Sequence, residues 1–352
     1  MTSREKGDKR SSSSKTPIIA GAVAGVVSRF CIAPLDVVKI RLQLQPKLLA
    51  SNAALGSGNG AAAAAPLGTV YNGIYGTMKT IVKEEGITAL WKGNIPAELL
   101  YLTYGAAQFF IYAQAQSFLS STPFTSSLPP TFINTLSGGI AGGLATSVTY
   151  PFDLLRTRFA ASKGGKEGRV YSSINAAVRG IWRDEGFRGF YRGGGAAVVQ
   201  IVPYMGLFFG SYEGVKAGLQ QLLSPVEFLP NSNYHPVLAG LLSIFSGSGG
   251  GVDAISGVLG GIIAKTGVFP LDTIRKRLQV QGPTRGRYVH GDIPVYEGVI
   301  RCGREVVRRE GWRGLYRGLT VSLVKAAPAS AVTMWTYGRT VEIVGWFEGR
   351  EG

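Results

Sequence analysis

The stretch "APLDVVKIRL", from Ala33 to Leu42, places a proline, an acid and two bases inside an otherwise apolar segment. Proline removes a backbone donor from a helix, and each charge is costly in apolar surroundings. Two further stretches have the same combination: "YPFDLLRTRF" begins at Tyr150 and "FPLDTIRKRL" begins at Phe269. A costly arrangement that occurs three times indicates a function that requires it.

The composition combines few charges with a strong excess of bases. Charged residues make up 16% of the 352 residues and hydrophobic residues 45%, yet 37 Lys+Arg against 21 Asp+Glu leave a net charge of +16. This suggests an apolar body that faces anions: nucleic acid, anionic lipid or an anionic small molecule. Cys31 and Cys302 are too few for a disulfide framework or a zinc cage, and His235 and His290 stand in or near loop-like stretches. We therefore predict no enzyme activity, no metal and no cofactor.

The motif prolines Pro34, Pro151 and Pro270 lie 117 and 119 residues apart. A second motif keeps the same phase and reads Glu-Gly, four residues, an aromatic, a base and Gly. Its copies are "EEGITALWKGN" (84–94), "DEGFRGFYRGG" (184–194) and "REGWRGLYRGL" (309–319). Two linked motifs in triplicate indicate a threefold internal repeat.

Each repeat has two apolar segments with a short amphipathic stretch between them. At about 20 residues each, these segments predict six membrane spans. The predicted boundaries are a disordered N-terminal tail at 1–16 and repeats at 17–122, 131–224 and 236–347. The first repeat contains a low-complexity loop insertion at 49–68.

Pro-x-Asp-x-x-Lys/Arg-x-Arg in three copies, each followed by the Glu-Gly motif, closely resembles the mitochondrial carrier family over about residues 17–347. The resemblance implies an all-α membrane protein of the mitochondrial inner membrane. It implies six transmembrane helices in three pseudo-symmetric repeats around a central cavity, and three short matrix-side amphipathic helices. Solute transport would proceed by alternating access.

Within this family, segments such as "LWKGNIPAELLYLTYGAAQF" and "QIVPYMGLFFGSYE" are most similar to carriers of thiamine pyrophosphate. This implies antiport of thiamine pyrophosphate (thiamine diphosphate) for other phosphorylated anions, by a monomer without a nucleic-acid partner. A carrier for adenine nucleotides, deoxynucleotides or coenzyme A remains an alternative. A basic nucleic-acid-binding protein would fit the charge, but not six Gly-spaced apolar segments.

Each motif acid lies three residues before a base, so the two share one helix face. The residues are Asp36 and Lys39, Asp153 and Arg156, and Asp272 and Arg275. The resemblance implies a ring that closes the matrix end, in which Asp36 pairs with Arg156, Asp153 with Arg275, and Asp272 with Lys39. It also places Gln43 and Gln279 as braces below two pairs, whereas the second repeat has Ala160 at that position.

At the opposite end the family uses aromatic-acid-x-x-base on the even-numbered spans. The second repeat keeps the motif as Tyr212, Glu213 and Lys216, but the first has only Tyr112 and Gln116 and the third only Tyr337. We therefore expect a cytoplasmic gate with few ion pairs, and a resting state that is open to the cytoplasm.

A charge in mid-span indicates a cargo site. Arg29 and Lys265 stand five residues before a motif proline, and Lys325 interrupts the sixth apolar segment. Three bases suit a diphosphate. The resemblance adds five contact residues, while Glu98 is either a partner for the cationic part of thiamine or an interhelical contact. The five are Tyr104, Gln108, Gln200, Ile201 and Tyr204.

The aromatic-base-Gly motifs come where helices are predicted to begin. Free backbone N–H groups at a helix N-terminus suit a lipid phosphate. The resemblance implies bound cardiolipin at these ends and at the glycines before the short helices, although the second repeat has Ser173 there. The residues are Gly73, Lys92, Gly93, Arg192, Gly193, Gly298, Arg317 and Gly318.

Overall fold

The computed structural model describes residues 3–45, 71, 73–122, 130–163, 170–223, 250–290 and 293–348. Apart from one isolated bridge between Ser162 and Tyr288, the regular structure of these residues is helical. The α-helices are α1 (Ser3–Leu44), α2 (Gly73–Glu85), α3 (Asn94–Ser121), α4 (Pro130–Ala161), α5 (Ile174–Gly189), α6 (Gly194–Val199), α7 (Ile201–Leu223), α8 (Gly250–Gln279), α9 (Val299–Glu310), α10 (Leu319–Val324) and α11 (Ala326–Glu348). Short 3₁₀ helices cover Ile87–Trp91, Arg285–Arg287 and Trp312–Tyr316.

Two of the long helices are interrupted at one residue. Gln200 separates α6 from α7, and Lys325 separates α10 from α11. Pro203 and Pro328 follow three residues later, and each leaves the carbonyl four residues before it without its helical N–H partner. The first repeat has Thr103 at this place, and α3 is continuous. The proline of the second and third repeats therefore explains both interruptions.

Three helical segments of the described chain are long and apolar enough to cross a bilayer, namely residues 19–44, 194–222 and 251–279. The long helices α3, α4 and α10–α11 are not among these segments. Large apolar side chains are nevertheless exposed on α3 and α11, where Phe109 is 80% and Met334 is 76% exposed. The all-helical fold is confirmed, and the number of spans stays a prediction.

The N-terminal segment differs from the prediction. Residues 3–16, for which we predicted a disordered tail, belong to α1. The helix runs through Pro17 into the polar sequence before it. The predicted insertion at 49–68 lies outside the described residues.

The short helices α2, α5 and α9 bury the same two repeat positions, one helical turn apart. This agrees with the amphipathic stretch that the sequence predicts between the two apolar segments of a repeat. The buried pairs are Thr77 and Ile81, Ala177 and Ile181, and Cys302 and Val306.

The glycine that ends each aromatic-base-Gly motif has a positive φ, of 80° at Gly93, 78° at Gly193 and 83° at Gly318. At Gly93 an added Cβ would lie 2.7 Å from the carbonyl oxygen of Arg156. Both the backbone conformation and the close approach therefore require glycine at this position.

The loop that follows α8 packs against the first two repeats. The Val289 amide donates to the Ala161 carbonyl at 3.0 Å, and His290 Nε2 lies 3.2 Å from the Arg41 carbonyl. The rings of His290 and Tyr71 form a T-shaped contact, with centroids 5.4 Å apart. Burial, helped by the charges of Arg41 and its neighbours, lowers the pKa of His290 to about 4.

The chain divides into two compact units. The first unit comprises Met1–Ala106, Val148–Gly193 and Lys276–Gly352, and the second comprises Ala107–Ser147 and Gly194–Arg275. The first unit contains the three short helices, the loops beside them and the packing of α1 on α11, where Ser28 Oγ donates to the Ala329 carbonyl at 3.0 Å.

We predict that Gly93→Ala lowers the free energy of unfolding by at least about 2 kcal/mol, since it adds backbone strain and a clash. Thermal unfolding in detergent measures this. Gly105→Ala in α3 is the matched control, because a Cβ there meets open space, and it should gain about 0.5–1 kcal/mol. Equal stability of the two variants would contradict this account.

The stability of the protein should also depend on pH through His290. Its pKa in the folded state lies below the ordinary 6.5, so the fold favours the neutral ring. The resulting stabilisation is complete above about pH 6.5 and is lost as the pH falls towards 4, with a maximum of about 3 kcal/mol. Unfolding followed from pH 7.5 to 5 should show a smaller pH dependence for His290→Gln than for the unchanged chain. Parallel curves would exclude His290 as the source.

Candidate functional site

Asp36 binds two cations in the first unit. The predicted ion pair with Arg156 is present, and Lys325 Nζ lies 2.6 Å from Asp36 Oδ1. The side chain of Asp36 is only 10% exposed, whereas that of Lys325 is 22% exposed. Lys325, which we predicted as a cargo contact, is thus also a partner of the gate acid.

Asp153 is bound by Lys276, a base that the prediction did not include. Lys276 Nζ lies 3.0 and 2.9 Å from the two carboxylate oxygens. Gln279 has the geometry of the predicted brace, because its Nε2 donates to Asp153 Oδ2 at 2.5 Å and its Oε1 accepts from Lys276 at 3.1 Å. Gln43 is fully buried in the same unit.

The remaining predicted pairs join residues of different units and stay predictions: Asp153 with Arg275, and Asp272 with Lys39. Within the second unit, Asp272 lies 3.7 Å from Lys265, which we predicted as a cargo base. Lys39 is buried in the first unit.

Tyr101 is a residue that sequence reasoning missed. The guanidinium carbon of Arg29 lies 3.4 Å from the centre of its ring, and Arg156 Nη1 donates to its hydroxyl at 3.2 Å. Tyr101 therefore holds a predicted cargo base on its face and a gate base at its tip. Glu98 lies one helical turn earlier, and its Oε1 is buried without a hydrogen bond in the described chain.

The other predicted contact residues lie mainly in the second unit. Gln200 stands at the break between α6 and α7, with a buried Oε1 that has no hydrogen-bond partner among the described residues. Ile201 begins α7, and the ring of Tyr204 stacks on Phe208 with centroids 6.2 Å apart. Gln108 and Tyr104 are both half-buried on α3. Gln108 belongs to the second unit and Tyr104 to the first.

The last arginine of each proline motif forms a buried ion pair that we call a clamp. Arg41 binds Glu85 through two nitrogens at 2.5 and 2.8 Å, and Arg158 binds Glu185 in the same way at 2.5 and 2.9 Å. Arg277 forms the third clamp with Glu310. A tyrosine hydroxyl accepts a further hydrogen bond from each arginine, supplied by Tyr71, Tyr171 and Tyr296.

The clamps connect the repeats in a closed ring. The Nε of each clamp arginine donates to a backbone carbonyl at one equivalent position of the next repeat. The bonds run from Arg41 to Ala160 at 3.1 Å, from Arg158 to Gln279 at 3.0 Å and from Arg277 to Gln43 at 3.1 Å. The motif of one repeat thus completes its hydrogen bonds on the following one.

The bases predicted to bind cardiolipin are engaged by the same glutamates. Lys92 Nζ lies 2.7 Å from Glu85, Arg192 Nε 2.5 Å from Glu185, and Arg317 3.6 Å from Glu310. A lipid at these ends would therefore meet chiefly the backbone N–H groups of the helix starts.

One cavity of about 390 Å³ lies where two such helix starts meet in the first unit. One wall is the beginning of α3 with Gly93, and the other is the beginning of α5, where the side chain of Ser173 accepts from the Ala176 amide. The remaining lining is largely apolar and comprises Trp91, Asn94, Ile95, Pro96, Phe159, Ser172, Ile174 and Asn175. Backbone donors beside an apolar wall suit the headgroup and chain of a phospholipid.

The predicted cytoplasmic-gate residues lie in the C-terminal halves of α3, α6–α7 and α10–α11. In the second unit, Lys216 Nζ lies 2.7 Å from Asp253, and the Tyr212 hydroxyl donates to the same oxygen at 2.9 Å. Gln116 bonds to Asn134 at 3.0 Å. Glu213 is exposed, Tyr112 is half-buried in this unit, and Tyr337 is exposed in the first unit.

Comparison with known proteins gives one consistent result. The chain matches the family described as "Mitochondrial carrier protein" over residues 11–123, 128–222 and 248–346. It is 52% identical to "Mitochondrial thiamine pyrophosphate carrier 1" of Neosartorya fischeri over 334 residues, and this match covers 95% of each chain. A protein of the same name from Aspergillus oryzae is 54% identical, and the match covers 92% of this chain and 91% of the relative. Another from Sclerotinia sclerotiorum is 49% identical, and the match covers 99% of this chain and 97% of the relative.

We predict that Tyr101→Phe lowers the free energy of unfolding by about 1 kcal/mol, because Arg156 loses a hydrogen-bond acceptor. Tyr101→Leu should cost about 2 kcal/mol more, since Arg29 also loses the ring face. Thermal unfolding in detergent measures both. Tyr75→Phe on α2 is the control, because Tyr75 is 79% exposed and should not respond. A Tyr101→Phe variant as stable as this control would show that the hydroxyl contact is unimportant.

Proposed function

The chain belongs to the mitochondrial carrier family, and on that premise we propose that it exchanges thiamine pyrophosphate for other phosphorylated anions across the mitochondrial inner membrane. In this proposal α1, α3, α4, α6–α7, α8 and α10–α11 are the six spans, two from each of the repeats 17–122, 131–224 and 236–347. The exposed apolar side chains of α3 and α11 support contact with lipid.

The observation that carries the proposal is the positive cluster around Asp36. Three cations, Arg29, Arg156 and Lys325, stand with two carboxylates, Asp36 and Glu98, so the cluster has an unbalanced positive charge. A diphosphate supplies the missing negative charge and accepts charge-assisted hydrogen bonds. The names of the relatives, at about 50% identity over nearly the whole chain, support thiamine pyrophosphate as this diphosphate.

The same cluster suggests how cargo opens the matrix gate. Lys325 binds Asp36 while it remains partly exposed, so an arriving diphosphate competes with Asp36 for its ammonium group. Asp36 then keeps its ion pair with Arg156. An ion pair at such a site has little net stability, because desolvation cancels much of the attraction, and it can be broken in each cycle.

Cardiolipin is the proposed lipid of the helix starts. The cavity between α3 and α5 supports this proposal, since backbone donors and an apolar wall meet there. A lipid in this cavity would contact the first and the second repeat together.

We expect Lys325→Ala to lower the initial rate of thiamine pyrophosphate exchange about 10- to 100-fold at subsaturating cargo. The reason is the loss of a charged hydrogen bond, which is worth about 1.5–3 kcal/mol. Exchange is measured in proteoliposomes, and Lys79→Ala on the exposed side of α2 is the matched control.

The same liposomes should be offered thiamine, ATP and coenzyme A in place of the diphosphate. Thiamine pyrophosphate should be exchanged fastest. Faster exchange of ATP or coenzyme A would assign the chain to a nucleotide or coenzyme A carrier instead. Unchanged exchange by Lys325→Ala would remove Lys325 from the site.

A further inference from the structure

The second unit contains a link between α7 and α8 that involves an acid outside every motif considered above. Asp253 lies near the beginning of α8, and its Oδ1 accepts from both Lys216 and Tyr212 of α7. The ammonium group of Lys216 also lies 5.6 Å from the centre of the Tyr212 ring. Lys216 is 32% and Asp253 46% exposed, so the pair is accessible to water.

A second link occupies the equivalent place one repeat earlier. Gln116 of α3 donates to Asn134 of α4 at 3.0 Å. Gln116 and Lys216 both lie 23 residues after the glycine of aromatic-base-Gly, and Asn134 and Asp253 both lie 17 residues before the motif proline. Two contacts at matching repeat positions indicate a feature of the repeat, not an isolated surface contact.

The third equivalent position lacks these polar groups, because its residues are Val341 of the third repeat and Pro17 of the first. The three equivalent positions therefore form a series: an ion pair, a neutral hydrogen bond and two apolar residues. The three pairs of residues thus occupy equivalent positions but differ in their polarity.

Backbone packing directs Asp253 towards α7. At Gly260, seven residues after Asp253, an added Cβ would lie 3.2 Å from the Tyr212 amide nitrogen and 3.3 Å from the Phe208 carbonyl oxygen. Seven residues are about two helical turns, so Asp253 and Gly260 lie on the same face of α8. The close approach of the two helices thus presents the carboxylate to Lys216.

We propose that Asp253 is a positioning residue of the cytoplasmic gate, which holds the gate base Lys216 on α8, and that Asn134 holds Gln116 in the same way. This rests on the proposed carrier function. In the state described, a movement that takes Lys216 to another partner must first break its bond with Asp253. An exposed pair of this kind is weak enough to break in every cycle.

Asp253→Asn removes the ionic link but keeps the gate base Lys216, and it should raise the exchange rate at saturating cargo about two- to five-fold, with KM unchanged. Asp253→Glu keeps a carboxylate at this place and should leave the rate close to that of the unchanged chain. Gln116→Lys with Asn134→Asp adds a second ion pair at the equivalent position and should lower the rate by a similar factor.

Glu342→Gln is the matched control, because Glu342 forms an exposed ion pair with Arg339 inside the single helix α11. It should leave the rate unchanged. A contact that only stabilises the fold would shift the unfolding temperature, but it would not give opposite rate changes on removal and addition of a pair.

If the unchanged chain exchanges thiamine pyrophosphate but every variant matches its rate, or removal and addition change the rate in one direction, the positioning role of Asp253 is wrong. The proposed function then stands. If the unchanged chain exchanges none of the anions offered, the proposed function is wrong and the gating role is rejected with it.

Discussion

Three buried arginines determine how the proline motifs and the Glu-Gly motifs of this chain are joined. The side chains of Arg41, Arg158 and Arg277 are at most 1% exposed, and removing the partner of a buried charge costs about 3–5 kcal/mol. Each therefore needs a carboxylate, a hydroxyl and a backbone carbonyl of the next repeat. The Glu-Gly motif supplies the carboxylate, and the tight glycine turns after it bring the next helix start beside the proline motif.

The pair of Lys325 with Asp36 has a different character from these clamps. A clamp arginine is fixed by several hydrogen bonds in complete burial, whereas Lys325 reaches Asp36 with one close contact and remains 22% exposed. A water-accessible ammonium group can exchange Asp36 for another anion at small cost, but a clamp arginine cannot. Burial therefore gives the clamp arginines a permanent attachment and leaves Lys325 a reversible contact.

Much of this organisation could be predicted from the repeats. The helical fold and the motif prolines inside helices follow from the triplicated segments, whereas the pair of Asp36 with Arg156 was implied by the family resemblance and only permitted by the spacing. Lys276 was missed because Arg275, Lys276 and Arg277 are consecutive bases, and spacing alone does not show which one faces Asp153. The clamp glutamates were missed as partners because loops of unequal length separate them from their arginines. Tyr101 and Asp253 belong to no motif, so only three-dimensional contact reveals them.

The closed ring of arginine bonds has a consequence for the biogenesis of the protein. Its last bond joins Arg277 to the carbonyl of Gln43, which lies 234 residues earlier in the chain. A nascent or truncated chain without its final third would leave the Gln43 carbonyl without its donor, and the Arg158 Nε without its acceptor on Gln279, in a setting where water replaces them poorly. The ring of bonds is therefore a property of the whole polypeptide, and it can close only when the C-terminal part is present.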